Sequence, residues 1–492
     1  MIEDSGAMRP LLKDPALLRQ QCFVGGRWQG QASDVVRNPA DGTVVAAVPR
    51  FGTAEAQGAI AAADAAFSSW SQAVASGRGA VLRRWADLIE ANVDDVARIM
   101  TAEQGKPLAE AHAEVLSAAG YIGYYAEEAR RVGGEVMTSH RADSRILVVH
   151  QPIGVVGAIT PWNFPAGMFA RKVGPALAAG CTVVAKPAPE TPLTALALAR
   201  LAECAGLPAG VLNVITGDAA AIAAALFDSA AVKFVGFTGS TATGKHLMRL
   251  AADGVKRLGL ELGGHAAFIV LPHADLGAAV EGALAAKFRN MGQTCVAANR
   301  IWVHRSVHDE FVAAFAARVS GLKVGAGTEV GVQQGPLINA RALAKVQRHV
   351  DDALAKGALL AVGGGPHALG GTYYQPTVLT DVTDAMEIAR EETFGPVAAI
   401  TAFDDVQDVL ARVNKSAYGL AAYVFGRDIG QVLRLAERLE CGMVGINSVA
   451  LGTELAPIGG FKESGIGREG SHHGILEYCE MKYMLVGGLQ AD

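Results

Sequence analysis

Three polar residues, each beside a motif that turns the chain, have the types needed for acyl chemistry. Cys295 lies in GQTCVAANR (292–300), after a helical stretch and in a turn bearing glycine and threonine. Glu261 opens ELGGHAAF (261–268), beside a glycine pair at a strand end. Asn163 is held between prolines in PWNFP (161–165), a rigid loop. A thiolate attacks a carbonyl carbon, an amide N–H₂ holds the oxyanion, and a carboxylate activates water. Singly each is ordinary, and a lone free cysteine is more often an inert buried residue. The three together are the parts of nucleophilic catalysis at a carbonyl.

Two glycine motifs invite other readings. GSTATGKH (239–246) nearly matches a phosphate-binding loop, but its last position is His246, which has no hydroxyl for Mg²⁺. The loop follows a strand and opens a helix, so its backbone N–H groups still suit an anion. GIGREG (465–470) matches G-x-G-x-x-G, yet only 22 residues follow Gly470. A βαβ unit needs about 30, so a tight turn is the better reading.

The elements that must position these residues alternate. Residues 54–130 read as helices. Strands are predicted at 183–188, 210–217, 232–239 and 255–264, with helices from 191 to about 206, at 219–227 and at 241–252. Thr191 and Pro192 fit an N-cap and first helical position. This alternation argues for a parallel sheet covered on both faces, with ligands at the carboxyl ends of its strands. Those ends are Lys186, Gly217 and Gly239. A second block follows, with a strand at 266–271 and a helix at 275–290. Ser306 and Asp309 suggest a capping pair, and Phe311, Phe315 and Val319 fall on one helix face. The tail EYCEMKYMLVGGL reads as an edge strand of the kind often covered by another subunit.

Composition narrows the function classes. Net charge is −5, with 43 basic and 48 acidic residues and no basic block, against a nucleic-acid partner. Hydrophobic residues make up 51% and charged residues 18% of the 492, and 58 are glycine, well above the usual share of about 7%. Glu3 and Asp4 and the lack of an apolar stretch argue against a signal peptide. The stretch 146–170 carries Pro152, Pro161 and Pro165, so it reads as a buried strand and loop rather than a membrane span. Six scattered cysteines make neither a disulfide framework nor a zinc pattern. No metal site is expected, His472–His473 reading as a surface pair, and a reducing cytoplasm is the default.

PWNFP, VVAKPAPETP, FTGSTATG, ELGG, GQTC, EETFGPV and KESGIGRE occur in one order along the chain. In that order, and in the 34 residues between Glu261 and Cys295, the sequence resembles the NAD(P)-dependent aldehyde dehydrogenase superfamily over almost its whole length. The resemblance implies an α/β chain with the aldehyde dehydrogenase fold: a Rossmann-like cofactor domain (1–128 and 149–259), an α/β catalytic domain (260–464) and a small β oligomerisation extension (129–148 and 465–492). It implies a homo-dimer or homo-tetramer. It makes Cys295 the nucleophile, Asn163 and the Cys295 N–H the oxyanion site, and Glu261 the base for the deacylating water. Thr160, Pro161, Trp162, Lys186, Ala188, Pro189, Gly217, Phe237, Gly239, Ser240, Leu262, Glu392 and Phe394 are the implied cofactor residues. CoA-acylating relatives generally lack the glutamate, so Glu261 favours an acid-forming enzyme. A cysteine hydrolase working without nucleotide is the competing class; Glu392 and the strand–loop–helix at 232–252 speak against it.

Within the superfamily, FARKVGPALAAGCTVVAKPA (169–188), KFRNMGQTC (287–295) and GREGSHHGILEYCEMKY (467–483) are most similar to succinate-semialdehyde dehydrogenases. That implies Arg171 and Arg289 as a grip on a distal carboxylate, a task suited to a planar guanidinium, with Phe164 lining the substrate tunnel. A serine of that subfamily aligns with Gly452, with Thr453 beside it, which leaves substrate length open between succinate and glutarate semialdehyde or an aromatic aldehyde. ELGGN of the family becomes ELGGH, so His265 replaces an amide hydrogen bond or adds pH sensitivity. Ala297 stands where some relatives carry a second, redox-active cysteine. Pro189 stands where NAD-preferring relatives often carry glutamate, so NADP is expected to be accepted alongside NAD.

Overall fold

The computed structural model describes residues 8–489; Glu3 and Asp4 lie outside them. Five parallel strands make the centre of the first sheet: β1 Val155–Ile159, β2 Thr182–Lys186, β3 Leu212–Val214, β4 Val232–Thr238 and β5 Arg257–Glu261. Their order is β3-β2-β1-β4-β5. β2 is buried at every residue, as its continuous apolar run requires of a strand covered on both faces. The order reverses at β1, so the carboxyl ends of β1 and β4 part and open a crevice. Antiparallel strands Cys22–Val24 and Arg27–Gln29 extend the sheet past β3, and Gly465–Ile466 pairs with β5 at the other edge. The GIGREG segment therefore opens as a short strand where a tight turn was expected, and the turn falls at Glu463–Ser464 just before it. Gly465 has φ +148°, and a Cβ there would stand 2.0 Å from the Leu260 carbonyl.

The helices over this sheet include α1 Gly167–Ala179, α2 Pro192–Cys204 and α3 Thr241–Asp253. Pro192 does open α2, but the Thr191 side chain makes no cap bond. The free N–H groups of Leu193 and Thr194 instead donate to the Glu103 carboxylate at 2.7 and 2.8 Å. Glu103 lies about 90 residues away in sequence, so no local pattern announces it. α3 is capped by Ser240, whose Oγ accepts from Thr243 N at 3.3 Å.

α4 Leu276–Phe288 and α5 Ala340–Ala355 pack on a second sheet. Its strands are β6 Ala266–Val270, β7 Ala298–His304, β8 Leu359–Val362, β9 Thr377–Thr380, β10 Val397–Phe403, β11 Ala421–Phe425 and β12 Met443–Ile446, in the order β8-β9-β10-β7-β6-β11-β12. All pairs are parallel except β8 with β9. Phe311, Phe315 and Val319 are buried on one helix face, as their spacing predicts. The cap of that helix differs from the Ser306–Asp309 expectation: His304 Nδ1 accepts from Ser306 N at 3.3 Å, because the histidine precedes the first turn and points back over it.

A third, antiparallel sheet joins Glu135–Thr138, Arg145–Pro152 and Cys479–Val486. The tail strand is its outer edge, with Met481, Tyr483 and Leu485 exposed. Residues 146–170 resolve into the central strand of this sheet, β1, a loop and the start of α1. Among the described residues no helix is long and apolar enough to cross a membrane.

Candidate active site

Cys295, the expected nucleophile, sits in the turn that joins α4 to β7. Asn290, Met291 and Gly292 are all left-handed there, with φ of +50°, +57° and +69°. Glycine is needed on the facing chain. A Cβ on Gly264 would stand 2.1 Å from the Cys295 carbonyl oxygen, so the Cys295 backbone lies directly on the segment that leaves β5. That contact is what brings a thiol and the Glu261 carboxylate, 34 residues apart, into one site. A Cβ on Gly263 would stand 3.2 Å from the Glu392 carboxylate, a looser approach.

Asn163 follows β1 and is buried. Its Nδ2 donates to the Gln293 carbonyl at 3.0 Å, two residues before the thiol. Its own carbonyl accepts from Lys106 Nζ at 2.7 Å and from Asn290 Nδ2 at 2.9 Å.

Burial pushes the Cys295 thiol up to about 12, aided by the negative neighbours Glu392 and Glu261 and opposed by Arg171. The Glu261 carboxyl is raised well above the usual carboxylate range, first by burial and then by Glu469, with Lys172, Arg171 and Arg468 opposing. Lys172 ion-pairs with Glu469 and bonds Thr238 Oγ1. A carboxylate with raised proton affinity is a stronger base than an ordinary glutamate.

A cavity of about 670 Å³ opens at the β1–β4 switch point. Of the sequence-predicted residues, Pro161, Trp162, Asn163, Gly239, Ser240, Leu262, Cys295, Glu392 and Phe394 line it together. Glu392 Oε1 accepts from Gly264 N at 2.9 Å, and burial holds its carboxyl at about 7. Phe394 has φ +57° and sets its ring edge-on to Trp162 at 5.5 Å. Thr160 is buried and its N–H donates to the Lys186 carbonyl at 3.1 Å. Lys186, Ala188 and Pro189 stand at and beyond the end of β2, one strand over from this wall. The Lys186 ammonium is buried and depressed by that burial, with Glu190 and Asp218 opposing. The Phe237 ring backs Gly239, where a Cβ would meet it at 2.4 Å. Gly217 is set apart, its backbone bridged to Phe51. Sequence reasoning missed the α5 side of the cavity, Arg341, Lys345 and Arg348. Lys345 Nζ donates to the Glu392 carbonyl at 2.5 Å. Its only sequence signal is one helix face with three cations.

The two arginines flank the nucleophile turn on aromatic faces. Arg171 Cζ lies 4.9 Å from the Tyr121 ring centre, and Arg289 Cζ lies 5.2 Å from that of Phe164. Among the described residues neither has a carboxylate in ion-pair range, and Arg171 Nε is buried without a partner. Tyr121 Oη donates to the Thr453 carbonyl at 2.8 Å. A Cβ on Gly452 would lie 3.6 Å from Arg171 Nη2, so that glycine leaves open space beside the guanidinium. His265 is buried, its Nε2–H donates to the Ala389 carbonyl at 2.9 Å, and burial and Arg300 hold it well below the usual histidine range. It is an ordinary donor rather than a pH sensor. One cluster with metal-ligand spacing, His349 with Glu387 and Glu391, was not expected; Arg348 already donates to Glu387 at 2.9 Å.

Known proteins place this arrangement. Residues 28–484 match the description "Aldehyde dehydrogenase family". The chain is 52% identical over 482 residues to a glutarate-semialdehyde dehydrogenase of Pseudomonas aeruginosa, covering 97% of this chain and 100% of that protein. It is 51% identical over 480 residues to an NADP(+) succinate-semialdehyde dehydrogenase of Escherichia coli, covering 97% and 99%. The crystal structure of a succinate-semialdehyde dehydrogenase from Burkholderia pseudomallei superposes with a TM-score of 0.96 at 54% identity, covering 97% of this chain and 99% of that one. With Cys295 and Asn163 lining the switch-point cavity and Glu261 at the end of β5, outside its lining, the chain belongs to the aldehyde dehydrogenase family.

Proposed function

We propose that the chain oxidises a small aldehyde with an anionic far end, converting an ω-semialdehyde into a dicarboxylate with NAD or NADP. Succinate semialdehyde is the first candidate. The observation that carries this is the pair Arg171 and Arg289, two guanidinium groups beside the Cys295 turn with no ion-paired acid among the described residues. Arg171 is half-buried with its Nε left without a partner, which is unfavourable, and Arg289 is exposed; a substrate carboxylate would pair with both. The space beside Gly452 favours glutarate semialdehyde as the second candidate, in keeping with the name of the Pseudomonas aeruginosa relative.

The cavity suits a dinucleotide. It lies where the strand order reverses, α3 aims its N-terminus at it through Ser240, and Trp162 and Phe394 give it flat walls. Glu392 and Lys345 would hold the nicotinamide ribose, Gly239 and Ser240 the pyrophosphate, and Lys186, Ala188 and Pro189 the adenosine end. In the chemistry we propose, the Cys295 thiolate adds to the aldehyde carbon, and Asn163 Nδ2 and the Cys295 N–H hold the oxyanion. A nicotinamide held by Glu392 and Lys345 would supply the hydride acceptor for oxidation of the carbon bonded to Cys295 to the thioester level. Glu261 then takes a proton from water as it attacks the thioester, and the Cys295 thiolate leaves as the acid is released.

The domain division at 128, 149, 259 and 464 and association through the third sheet belong to the same reading. All six cysteines are free, which supports a reducing compartment such as the cytoplasm.

The test is kcat/KM for succinate, glutarate and neutral aliphatic aldehydes in Arg171→Ala and Arg289→Ala enzymes. Loss of charge-assisted hydrogen bonds of about 1.5–3 kcal/mol predicts a tenfold or larger drop for the semialdehydes and little change for the neutral aldehyde. Equal drops on both overturn the carboxylate grip.

A further inference from the structure

The oxyanion amide of Asn163 is held from behind by a buried polar cage that the proposed mechanism does not use. Lys106 is fully buried in the loop before helix Leu108–Glu128. Its Nζ donates to the Asn163 carbonyl at 2.7 Å, ion-pairs with Glu114, and lies 4.2 Å from the centre of the Phe164 ring. Glu114 is buried too, and its second oxygen accepts from Ala166 N and Gly167 N at 3.0 and 3.1 Å, capping α1. One ammonium therefore links the loop carrying Asn163 and Phe164 to the start of the helix carrying Arg171.

A second donor comes from the nucleophile turn. Asn290 Nδ2 donates to the same Asn163 carbonyl at 2.9 Å, while Gln104 Nε2 donates to Asn290 Oδ1 at 3.1 Å. Asn290 N donates to Glu110 at 2.8 Å. Asn290 and Met291 are consecutive non-glycine residues in the left-handed region. That backbone is strained, and strain of this kind persists where surrounding bonds over-determine it, often at working sites. Here it aims the Asn290 amide at the carbonyl of the residue whose side chain meets the substrate.

We propose that Lys106 and Asn290 are positioning residues for the oxyanion site: they fix the Asn163 backbone so that its Nδ2 is aimed before substrate arrives. The proposal deepens the reading of Asn163 given under Proposed function and rests on it. Preorganised donors stabilise an oxyanion because they need no reorganisation during reaction. Removing either tether lets the amide drift, which lowers the rate of thiohemiacetal formation and leaves binding intact. Neither Lys106 nor Asn290 lines the cavity, so their effect on the oxyanion donor passes through Asn163.

The test is a double-mutant cycle on the full-length enzyme, with Lys106→Met, Asn290→Ala and Asn163→Ala singly and Lys106→Met and Asn290→Ala each combined with Asn163→Ala. Steady-state kinetics use succinate semialdehyde, nucleotide binding is read by the thermal-melt shift with NADP, and Cys295 by alkylation with iodoacetamide. Asn163→Ala should lower kcat about 10²–10³-fold. Lys106→Met and Asn290→Ala should each lower kcat at least tenfold with KM, melt shift and alkylation rate within about threefold of wild type. In the Asn163→Ala background they should change kcat less than threefold further, since groups that act through one another are non-additive. Full multiplication of the effects, or kcat unchanged in both tether variants, overturns the positioning role while the oxyanion reading stands. An Asn163→Ala enzyme with wild-type kcat overturns the oxyanion reading itself. If Lys106→Met fails to fold, Asn290→Ala carries the cycle alone, because it removes a neutral amide and leaves no buried charge unpaired.

Discussion

Glu261 and Cys295 are each shifted by the burial that makes them useful, and both shifts have a readable sign. Glu261 acts as a base only when deprotonated, and its carboxyl is raised above the ordinary value of 4.5. The acid limb of the turnover profile should therefore fall at a pH well above 4.5. Glu261→Gln should keep the first burst of reduced nucleotide and slow the following steady state about 10²–10⁴-fold. Stopped-flow absorbance checks both; an acid limb centred near 4.5 would contradict the shift. Cys295 is held as a thiol by burial and by Glu392 and Glu261, while Arg171 favours the thiolate. Iodoacetamide should react with the free enzyme about tenfold faster per pH unit through pH 7–9, since only the thiolate attacks, and Arg171→Ala should slow it severalfold. The identity of these residues was legible in sequence because each stands in a motif that turns the chain. Lys106 and Asn290 were not, because neither a lysine outside any motif nor an asparagine within KFRNMGQTC says which distant carbonyl it meets.

At the scale of elements, close approaches and distant caps decide what the pattern of apolar residues leaves open. β1 to β5 lie close to where apolar runs predict them, since strands covered on both faces have few polar residues to blur the signal. The caps were harder. Thr191 and Ser306 have the right residue types, yet Glu103 and His304 supply the bonds. Glu103→Ala should leave the buried N–H groups of Leu193 and Thr194 without acceptors, at a cost of about 1–3 kcal/mol. A thermal melt should shift down by a few degrees, and an unchanged midpoint would show that water replaces the carboxylate. Gly264→Ala is a sharper case. Its Cβ would stand 2.1 Å from the Cys295 carbonyl, so the nucleophile turn must move. Misplacement by about 1 Å lowers rate about 10²-fold, so kcat should fall to that extent while the melt shift with nucleotide survives.

For the whole molecule, the proposed association would run through the third sheet, whose outer strand Cys479–Val486 exposes Met481, Tyr483 and Leu485. Such an edge is rarely left bare. Met481→Lys with Leu485→Lys should shift sedimentation velocity toward a smaller species without loss of helix signal; an unchanged sedimentation coefficient would remove this sheet from the assembly contact. The amino-acid sequence by itself determined the alternation of buried strands and helices, the three chemical residue types and the family, because these depend on local periodicity and on motifs of consecutive residues. The tertiary structure alone decided which residues meet. It set Cys295 against Gly264, assigned the cap of α2 to Glu103, brought α5 to the cavity wall, and converged Lys106 and Asn290 on one carbonyl. Those contacts join segments tens to hundreds of residues apart, and a hydrogen bond depends on distance and direction in space, which no local spacing encodes.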